Sequence, residues 1–310
     1  MLQLERSTPA TLGLLVIHGI GEERRGYAAQ LIDGVARAMR AALERVNSQP
    51  LPPDLQLLAA EETLWDRYVS AQQDALRAFL SAQLPSVAFT FRVRQFLNTW
   101  LGALLLKARA RVVPFIEDII AYQRADANAL IYGELDGALH RLAGKMAMPA
   151  NAPPLTVVAH SLGTIIASDF LWDRWVKTRE GLGGFRLENL FTMGSPMAFY
   201  ALKYAGGVGA FDKPITLEPP GCWVNLYHPT DPIATRLRPL NSAYRHAVLQ
   251  DAEIRNHHLI AAHTSYWTDP RVHQIIGHKL ALDWLRNQHA LPPEQIRALQ
   301  DRYHRQLCIA

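Results

Sequence analysis

The segment from Leu155 to Val176 constrains the fold more than any other part of the sequence. It begins with the apolar run Leu-Thr-Val-Val-Ala, set off by the Pro153-Pro154 pair, which is typical of a strand buried on both faces of a parallel sheet. A helical pattern starts directly afterwards, at Leu162. A strand that leads into a helix in this way predicts a βα unit, the building block of α/β folds.

Other strand and helix patterns alternate along the chain. Apolar runs predict strands at residues 12–18, 55–60, 187–193 and 222–227, with a weaker one at 248–255. Helices are expected over residues 27–46, from the cap Asp269 and Pro270 to about Asn287, and again from Pro292-Pro293. We therefore predict an α/β fold with a mostly parallel sheet flanked by helices, in a single domain covering residues 1–310.

One interval is too long for this plan. Between His18 and Leu155 the chain is about twice as long as a helix, a strand, a second helix and their loops require. We predict a helical insertion at residues 65–123 that forms a lid or cap. From Ala75 to Ile116 it has no acidic residue but six basic ones, namely Arg77, Arg92, Arg94, Lys107, Arg109 and Arg111. Such helices either pack on the sheet with solvated arginines or form a lid that meets a lipid surface or an apolar substrate.

Composition excludes several classes of protein. The 310 residues are 49% hydrophobic with a formal net charge of +4, too modest an excess for a nucleic-acid-binding surface along the whole chain. Two cysteines do not suggest a secreted disulfide framework, and residues 1–11 resemble neither a signal peptide nor an anchor. We expect a cytoplasmic protein that contacts membranes peripherally at most.

The turn Ala159-His160-Ser161-Leu162-Gly163 is the sharpest chemical signal. It joins a buried strand to a helix, where a nucleophilic serine is presented on a tight turn. The alternative interpretation is a simple strand-to-helix turn. The segment His18-Gly19-Ile20-Gly21 follows the first strand and could complete an oxyanion hole, formed by the backbone N–H groups of Ile20 and Leu162.

A serine nucleophile needs a base and an orienting acid. Asp231 follows the predicted strand 222–227 and is the candidate acid, although Asp-Pro is also a common turn. His263 lies after the last predicted strand and is the candidate base, with His257 and His258 as competitors. His18, Gly19, His160 and Ser195 are candidates for lining the substrate pocket, with local packing as the alternative for the two histidines.

Other chemistry is not indicated. Ser195 is followed by Pro196, which has no backbone N–H for an oxyanion hole. The glycine-rich stretches lack nucleotide-binding spacing, and no metal-ligand motif is visible. We expect neither a cofactor nor a metal.

Three motifs together resemble lipase-like serine hydrolases of the α/β-hydrolase superfamily, including relatives of the inositol deacylases. They are Val16 to Gly21, Ala159 to Gly163, and His263-Thr264-Ser265-Tyr266-Trp267, with Met193 to Pro196 and Asp231-Pro232 in the expected order. The resemblance implies the α/β-hydrolase fold and ester hydrolysis by Ser161, Asp231 and His263. It also implies that the first two strands of that fold are absent, because the chain begins at what is usually the third.

The leading hypothesis is thus a serine carboxylic-ester hydrolase acting on a small-molecule or lipid ester with an apolar part. A thioesterase or amidase using the same triad is an alternative. A non-catalytic hydrolase fold that binds lipid or protein is a second one. The basic insertion adds possible contact with an anionic membrane surface to the expected partners, and nucleic acid is not among them.

Overall fold

The structure is a computed structural model of the chain. It describes residues 12–19, 24–68, 125–146, 152–204, 213–255, 262–288 and 290–308. The predicted insertion at residues 65–123 lies almost wholly outside these residues, as do its six basic side chains. Ile20, His257 and His258 also lie outside them.

The chain divides into two compact units. The smaller comprises residues 20–23 and 64–135, and its described part includes the short 3-10 turn Asp66–Tyr68. There Arg67 forms an ion pair with Glu134 at 2.6 Å. The larger unit comprises residues 1–19, 24–63 and 136–310 and contains the sheet.

The described part of the chain forms one six-stranded sheet. Its strands are β1 Leu12–Ile17, β2 Leu58–Glu62, β3 Pro154–His160, β4 Arg186–Met193, β5 Cys222–Tyr227 and β6 Val248–Glu253. They lie in the order β2-β1-β3-β4-β5-β6, and every pair of neighbours is parallel. This confirms the predicted mostly parallel sheet.

Helices connect and cover these strands. They are α1 Ala29–Asn47, α2 Ala125–Gly144, α3 Gly163–Leu171, α4 Met197–Tyr204, α5 Ser242–Ala247, α6 Ala262–Ser265, α7 Pro270–Asn287 and α8 Pro293–Cys308. Asp269 caps α7 as predicted, since its carboxylate accepts the N–H groups of Arg271 and Val272.

The core lies on both faces of the sheet. Every residue of β1 and β3 is buried, as their continuous apolar runs predicted. Alternate residues of β1 point to one face, where α1 and α7 pack together in the main apolar cluster. Members of this cluster include Leu12, Leu14, Val16, Leu31, Val35, Met39, Ile275, Ile276 and Leu280.

Two elements differ most from the predictions. Strand β2 starts and ends later than predicted, because its last residues, Glu61 and Glu62, are buried acids that an apolar pattern does not detect. The helix predicted from Leu162 to Val176 ends as α3 at Leu171 and continues as a π-helical segment, Trp172–Lys177. In it the Thr178 N–H and hydroxyl both donate to the Asp173 carbonyl, which favours the wider turn.

Candidate active site

The strand order brings two loops together at the carboxyl edge of the sheet. From β1 the chain passes to β2 on one side, whereas β3 to β6 lie on the other side. The carboxyl ends of β1 and β3 therefore form a topological switch point, where α/β sheets leave a crevice for ligands. His18 and Gly19 follow β1, and Ser161 follows β3.

The backbone at Ser161 is strained. Its φ is 53°, in the left-handed region that is uncommon for a residue with a side chain. The Ser161 N–H donates to the Met193 carbonyl at 2.9 Å, which fixes the turn to β4. A side chain on the nearby Gly163 would place Cβ 2.2 Å from the His18 carbonyl oxygen, so this close approach requires glycine. The sharp turn matches the predicted strand-to-helix connection, but the Ser161 side chain is buried, whereas an exposed nucleophile is expected on such a turn.

Ser161, His263 and Asp231 form a continuous hydrogen-bonded path. The Ser161 hydroxyl lies 2.9 Å from His263 Nε2, and His263 Nδ1 lies 2.9 Å from Asp231 Oδ2. Since a carboxylate only accepts, Nδ1–H donates to Asp231, which leaves Nε2 free to accept the serine proton. The structure thus brings together the three predicted residues, from the loops after β3, β5 and β6. His263 itself lies in the short helix α6, which follows β6, the last strand.

Asp231 is buried and held by further donors. Besides His263, it accepts the Tyr266 hydroxyl on Oδ2 at 3.0 Å and the Ile233 N–H on Oδ1 at 3.0 Å. Burial alone would raise the pKa of Asp231, but the bond and charge of His263 and these two donors together bring the pKa below its ordinary value. The side chain therefore stays a carboxylate facing the imidazole.

Tyr266 is a site residue whose position the sequence pattern did not reveal. Its hydroxyl donates to Asp231 and accepts the His228 N–H at 2.8 Å. Burial and the Asp231 carboxylate raise the pKa of Tyr266, so the hydroxyl remains a donor. The available signal was spacing, because a residue three positions after His263 lies on the same side of a helical turn.

The two histidines proposed to line the pocket are both buried. His18 Nδ1 lies 2.8 Å from the Gly19 carbonyl, and the His18 ring meets Tyr27 edge-on. His160 Nε2 lies 2.7 Å from the main-chain carbonyl of His263. Gly19 lies against the nucleophile, since a Cβ there would be 2.5 Å from Ser161 Cβ.

Ser195 lies beneath the turn rather than beside open solvent. It is fully buried, and its hydroxyl is 2.8 Å from that of Thr164. Thr164 in turn donates to the Ser161 carbonyl at 2.7 Å, so Ser195 donates to Thr164. The Met197 N–H completes the chain by donating to the Ser195 hydroxyl at 3.3 Å. These buried bonds support the strained backbone of Ser161 from below.

Of the two predicted oxyanion donors, the described residues include Leu162. It immediately precedes α3, so its N–H lies at a helix N-terminus, where amide groups lack intrahelical partners. In the same part of the chain, no group of three or more His, Cys, Asp or Glu side chains is arranged to hold a metal ion.

Comparison with known proteins points to phospholipases. Residues 184–248 match the DDHD domain. This stretch contains β5 and Asp231, whereas Ser161 and His263 lie outside it.

Individual relatives carry phospholipase names. A probable mitochondrial phospholipase of Saccharomyces cerevisiae is 25% identical over 258 residues, which cover 74% of this chain and 33% of the yeast protein. Phospholipase DDHD1 of Homo sapiens is 46% identical over 59 residues, 18% of this chain and 7% of the human protein. A probable mitochondrial phospholipase of Schizosaccharomyces pombe is 25% identical over 143 residues, 40% of this chain and 19% of that protein. The chain thus spans a third or less of the length of these relatives.

Proposed function

We propose that this protein is a serine hydrolase that cleaves carboxylic esters of lipids. The observation that carries the proposal is the path from Ser161 through His263 to Asp231, with both hydrogen bonds at 2.9 Å. The strained backbone at Ser161 supports the proposal, because strained residues cluster at functional sites. Strain at a serine beside a histidine therefore favours a catalytic site over a non-catalytic fold. The α/β-hydrolase fold is part of the same proposal.

The mechanism follows from these contacts. As Ser161 Oγ attacks the ester carbonyl, His263 Nε2 takes the hydroxyl proton, and Asp231 holds the imidazole in the required tautomer and stabilises its positive charge. The N–H groups of Leu162 and Ile20 bind the oxyanion. His263 then protonates the leaving alcohol, which yields an acyl-enzyme. Water attacks this ester with His263 again as base, and the acid and free Ser161 are released.

The relatives narrow the substrate class. Their names support a phospholipid as substrate, and a serine triad directs the reaction to a carboxylic ester rather than to a phosphodiester. We therefore propose cleavage of an acyl ester of a phospholipid.

A lipid substrate raises the question of membrane contact. None of the described helices is long and apolar enough to cross a bilayer. Peripheral contact with an anionic membrane surface, through the basic insertion, remains part of the proposal, and so does a cytoplasmic location.

Covalent labelling tests the proposal directly. The protein should react with a fluorophosphonate, and peptide mapping should locate the adduct on Ser161. Ser161→Ala should abolish both labelling and release of fatty acid from phospholipid vesicles, while its far-UV circular dichroism stays unchanged, because the loss of a triad nucleophile costs several orders of magnitude in kcat. Ser242→Ala is the control, since that serine is exposed on α5, outside the triad path, and its loss should leave the adduct on Ser161.

Two results would contradict the proposal. An adduct on another residue would disprove the assignment of the nucleophile. A folded wild-type protein that neither labels nor hydrolyses a panel of ester, thioester and amide substrates would favour the non-catalytic alternative. Faster turnover of the thioester or amide than of the matched ester would change the substrate class but keep the triad.

A further inference from the structure

His160 occupies a position between the nucleophile and its base. It is the last residue of β3 and directly precedes Ser161 in the chain. Its side chain is buried among aromatic rings, with centroid distances of 4.8 Å to His263 and 5.1 Å to Trp267. His160 therefore contacts the segment that contains the base, His263, and is itself joined covalently to Ser161.

The contact to the base is made through the main chain. His160 Nε2 is 2.7 Å from the carbonyl oxygen of His263, and a carbonyl only accepts, so Nε2 carries the hydrogen. Burial, followed by the nearby charge of His263, lowers the pKa of His160 to about 3. The ring is therefore neutral at ordinary pH and keeps one fixed donor aimed at His263.

Asp231 thus holds the imidazole ring of His263, and His160 holds its main chain. Asp231 binds the imidazole at Nδ1 and sets the tautomer and the plane of the ring. The bond from His160 instead fixes the main chain from which the imidazole extends. Ring orientation alone does not set the distance from Nε2 to Ser161 Oγ, because a shift of the main chain moves the whole side chain.

We propose that His160 is a positioning residue that sets the distance between the nucleophile and the base. Because His160 is bonded covalently to Ser161 and by a hydrogen bond to His263, a single residue fixes both reacting side chains relative to each other. This inference rests on the proposed function, since it has meaning only if Ser161 and His263 react. A misplacement of about 1 Å between reacting groups can cost about a hundredfold in rate, so loss of this bond should act on chemistry rather than on substrate binding.

The inference is tested by substitutions at position 160 that keep or remove the hydrogen-bond donor in the absence of the imidazole ring. In His160→Gln the amide nitrogen is as many bonds from Cβ as Nε2 is, so it can still donate to the His263 carbonyl. In His160→Asn the amide falls short, and in His160→Leu the donor is lost while most of the apolar volume remains. We expect Asn and Leu to lower kcat for a soluble ester, and the rate of fluorophosphonate labelling at Ser161, by about ten- to a hundredfold, with KM changed less than about threefold. Gln should recover most of the loss.

A second histidine provides the matched control. His273 Nε2 lies 2.9 Å from the Trp267 carbonyl, so it makes the same type of bond to a neighbouring segment, outside the triad. His273→Leu should change thermal stability without slowing labelling.

The outcomes distinguish this inference from the proposed function. If the wild type labels on Ser161 but Gln and Asn at position 160 have equal rates, or if the Leu variant labels as fast as the wild type, the positioning role is wrong. The Gln and Asn pair decides the matter even if the Leu variant does not fold. If the wild type does not label at Ser161, the proposed function itself fails, whatever His160 does.

Discussion

At the scale of single residues, Asp231 shows how a buried charge can serve an orienting role. Its carboxylate is removed from solvent but accepts three protein donors, from His263, Tyr266 and Ile233. Burying a carboxylate is costly unless such bonds replace water. The arrangement stabilises one tautomer of His263, the one whose Nε2 can accept the serine proton.

Substitution of Asp231 tests this orienting role. Asp231→Asn should leave the protein folded but lower kcat by about four orders of magnitude, because the amide can donate to Nδ1 and so favours the wrong tautomer. His263→Ala should cost about as much. Steady-state kinetics with a soluble ester measure both effects, and His257→Ala and His258→Ala are the controls. If one of the controls lost activity while His263→Ala kept it, the base would be that residue.

The buried state of His160 predicts a dependence of stability on pH. The folded protein keeps His160 neutral down to about pH 3, because burial lowers its pKa to about 3, whereas in the unfolded chain the ring takes up a proton near the ordinary histidine pKa of 6.5. Between these values the unfolded state binds more protons, so stability falls as the pH is lowered. The contribution of His160 at pH 5 is a loss of about 2 kcal/mol relative to neutral pH.

Denaturant unfolding at several pH values measures this loss. His160→Gln should lose less stability than the wild type between pH 7 and pH 5, by about 2 kcal/mol. The exposed His246 provides the control variant His246→Gln, which should follow the wild type. Parallel curves for the wild type and His160→Gln would show that His160 is not held neutral by the fold.

At the scale of elements, helices α1 and α7 meet more closely than ordinary side chains permit. A Cβ on Gly277 of α7 would lie 2.7 Å from Ala38 Cβ and 2.7 Å from the Val35 carbonyl oxygen of α1. Backbone atoms cannot move aside as a flexible side chain can. The contact therefore depends on the absence of a side chain at this position.

Gly277→Ala tests the close contact. We expect it to destabilise the protein by about 1–3 kcal/mol through overpacking, even though alanine is the better helix former. The control is Gly133→Ala in α2, where no atom of the described residues beyond the backbone of α2 itself lies within 4 Å of the added Cβ and a gain of about 0.5–1 kcal/mol is expected. Thermal unfolding measures both, and a stabilising Gly277→Ala would contradict the packing described.

The elements also show what a sequence pattern can and cannot reveal. Apolar runs predicted β1, β3, β4 and β5 well because these strands are buried on both faces, and the Asp-Pro cap located the start of α7. The end of β2 was missed because Glu61 is buried through long-range ion pairs with Arg141 and Lys145, at 2.8 Å and 2.6 Å. Partners so distant in sequence leave no local signal.

The same distinction applies to the site. The turn at Ser161 is encoded locally, by small residues between a strand and a helix, so the sequence predicted it. The bond from His160 to His263 and the bond from Tyr266 to Asp231 join segments that meet only in the folded sheet. Neither bond was predicted from the sequence, although the position of Tyr266 three residues after His263 was an available signal for one of them.

At the scale of the whole molecule, the net charge of +4 is modest, so membrane contact depends on where the positive charges lie. We expect the protein to bind anionic lipid vesicles better than neutral ones, because each Lys or Arg near an anionic surface contributes about 1 kcal/mol. Added salt should weaken this binding by screening. Changing Arg92, Arg94, Arg109 and Arg111 to Glu should reduce vesicle binding in a sedimentation assay and spare turnover of a small soluble ester.

The control variant changes the net charge by the same amount but at positions outside the insertion. Four exposed arginines of α1 and α8 form no ion pair with other described residues, namely Arg37, Arg45, Arg302 and Arg305. Their replacement by Glu should reduce vesicle binding less than replacement of the insertion set. An equal reduction would attribute binding to overall charge, and equal binding to neutral and anionic vesicles would remove the membrane role of the insertion.

The close packing of α1 on α7 also has a consequence for biosynthesis. Helix α1 follows the first strand of the sheet and α7 follows the last, so this contact closes only after nearly the whole sheet has been synthesised. Contacts between distant segments form late, and the ribosome adds only about 5–20 residues per second. A nascent chain therefore carries Ser161 for several seconds before His263 leaves the ribosome. On the proposed mechanism the nascent chain is inert toward esters throughout that time, because the nucleophile still lacks its base.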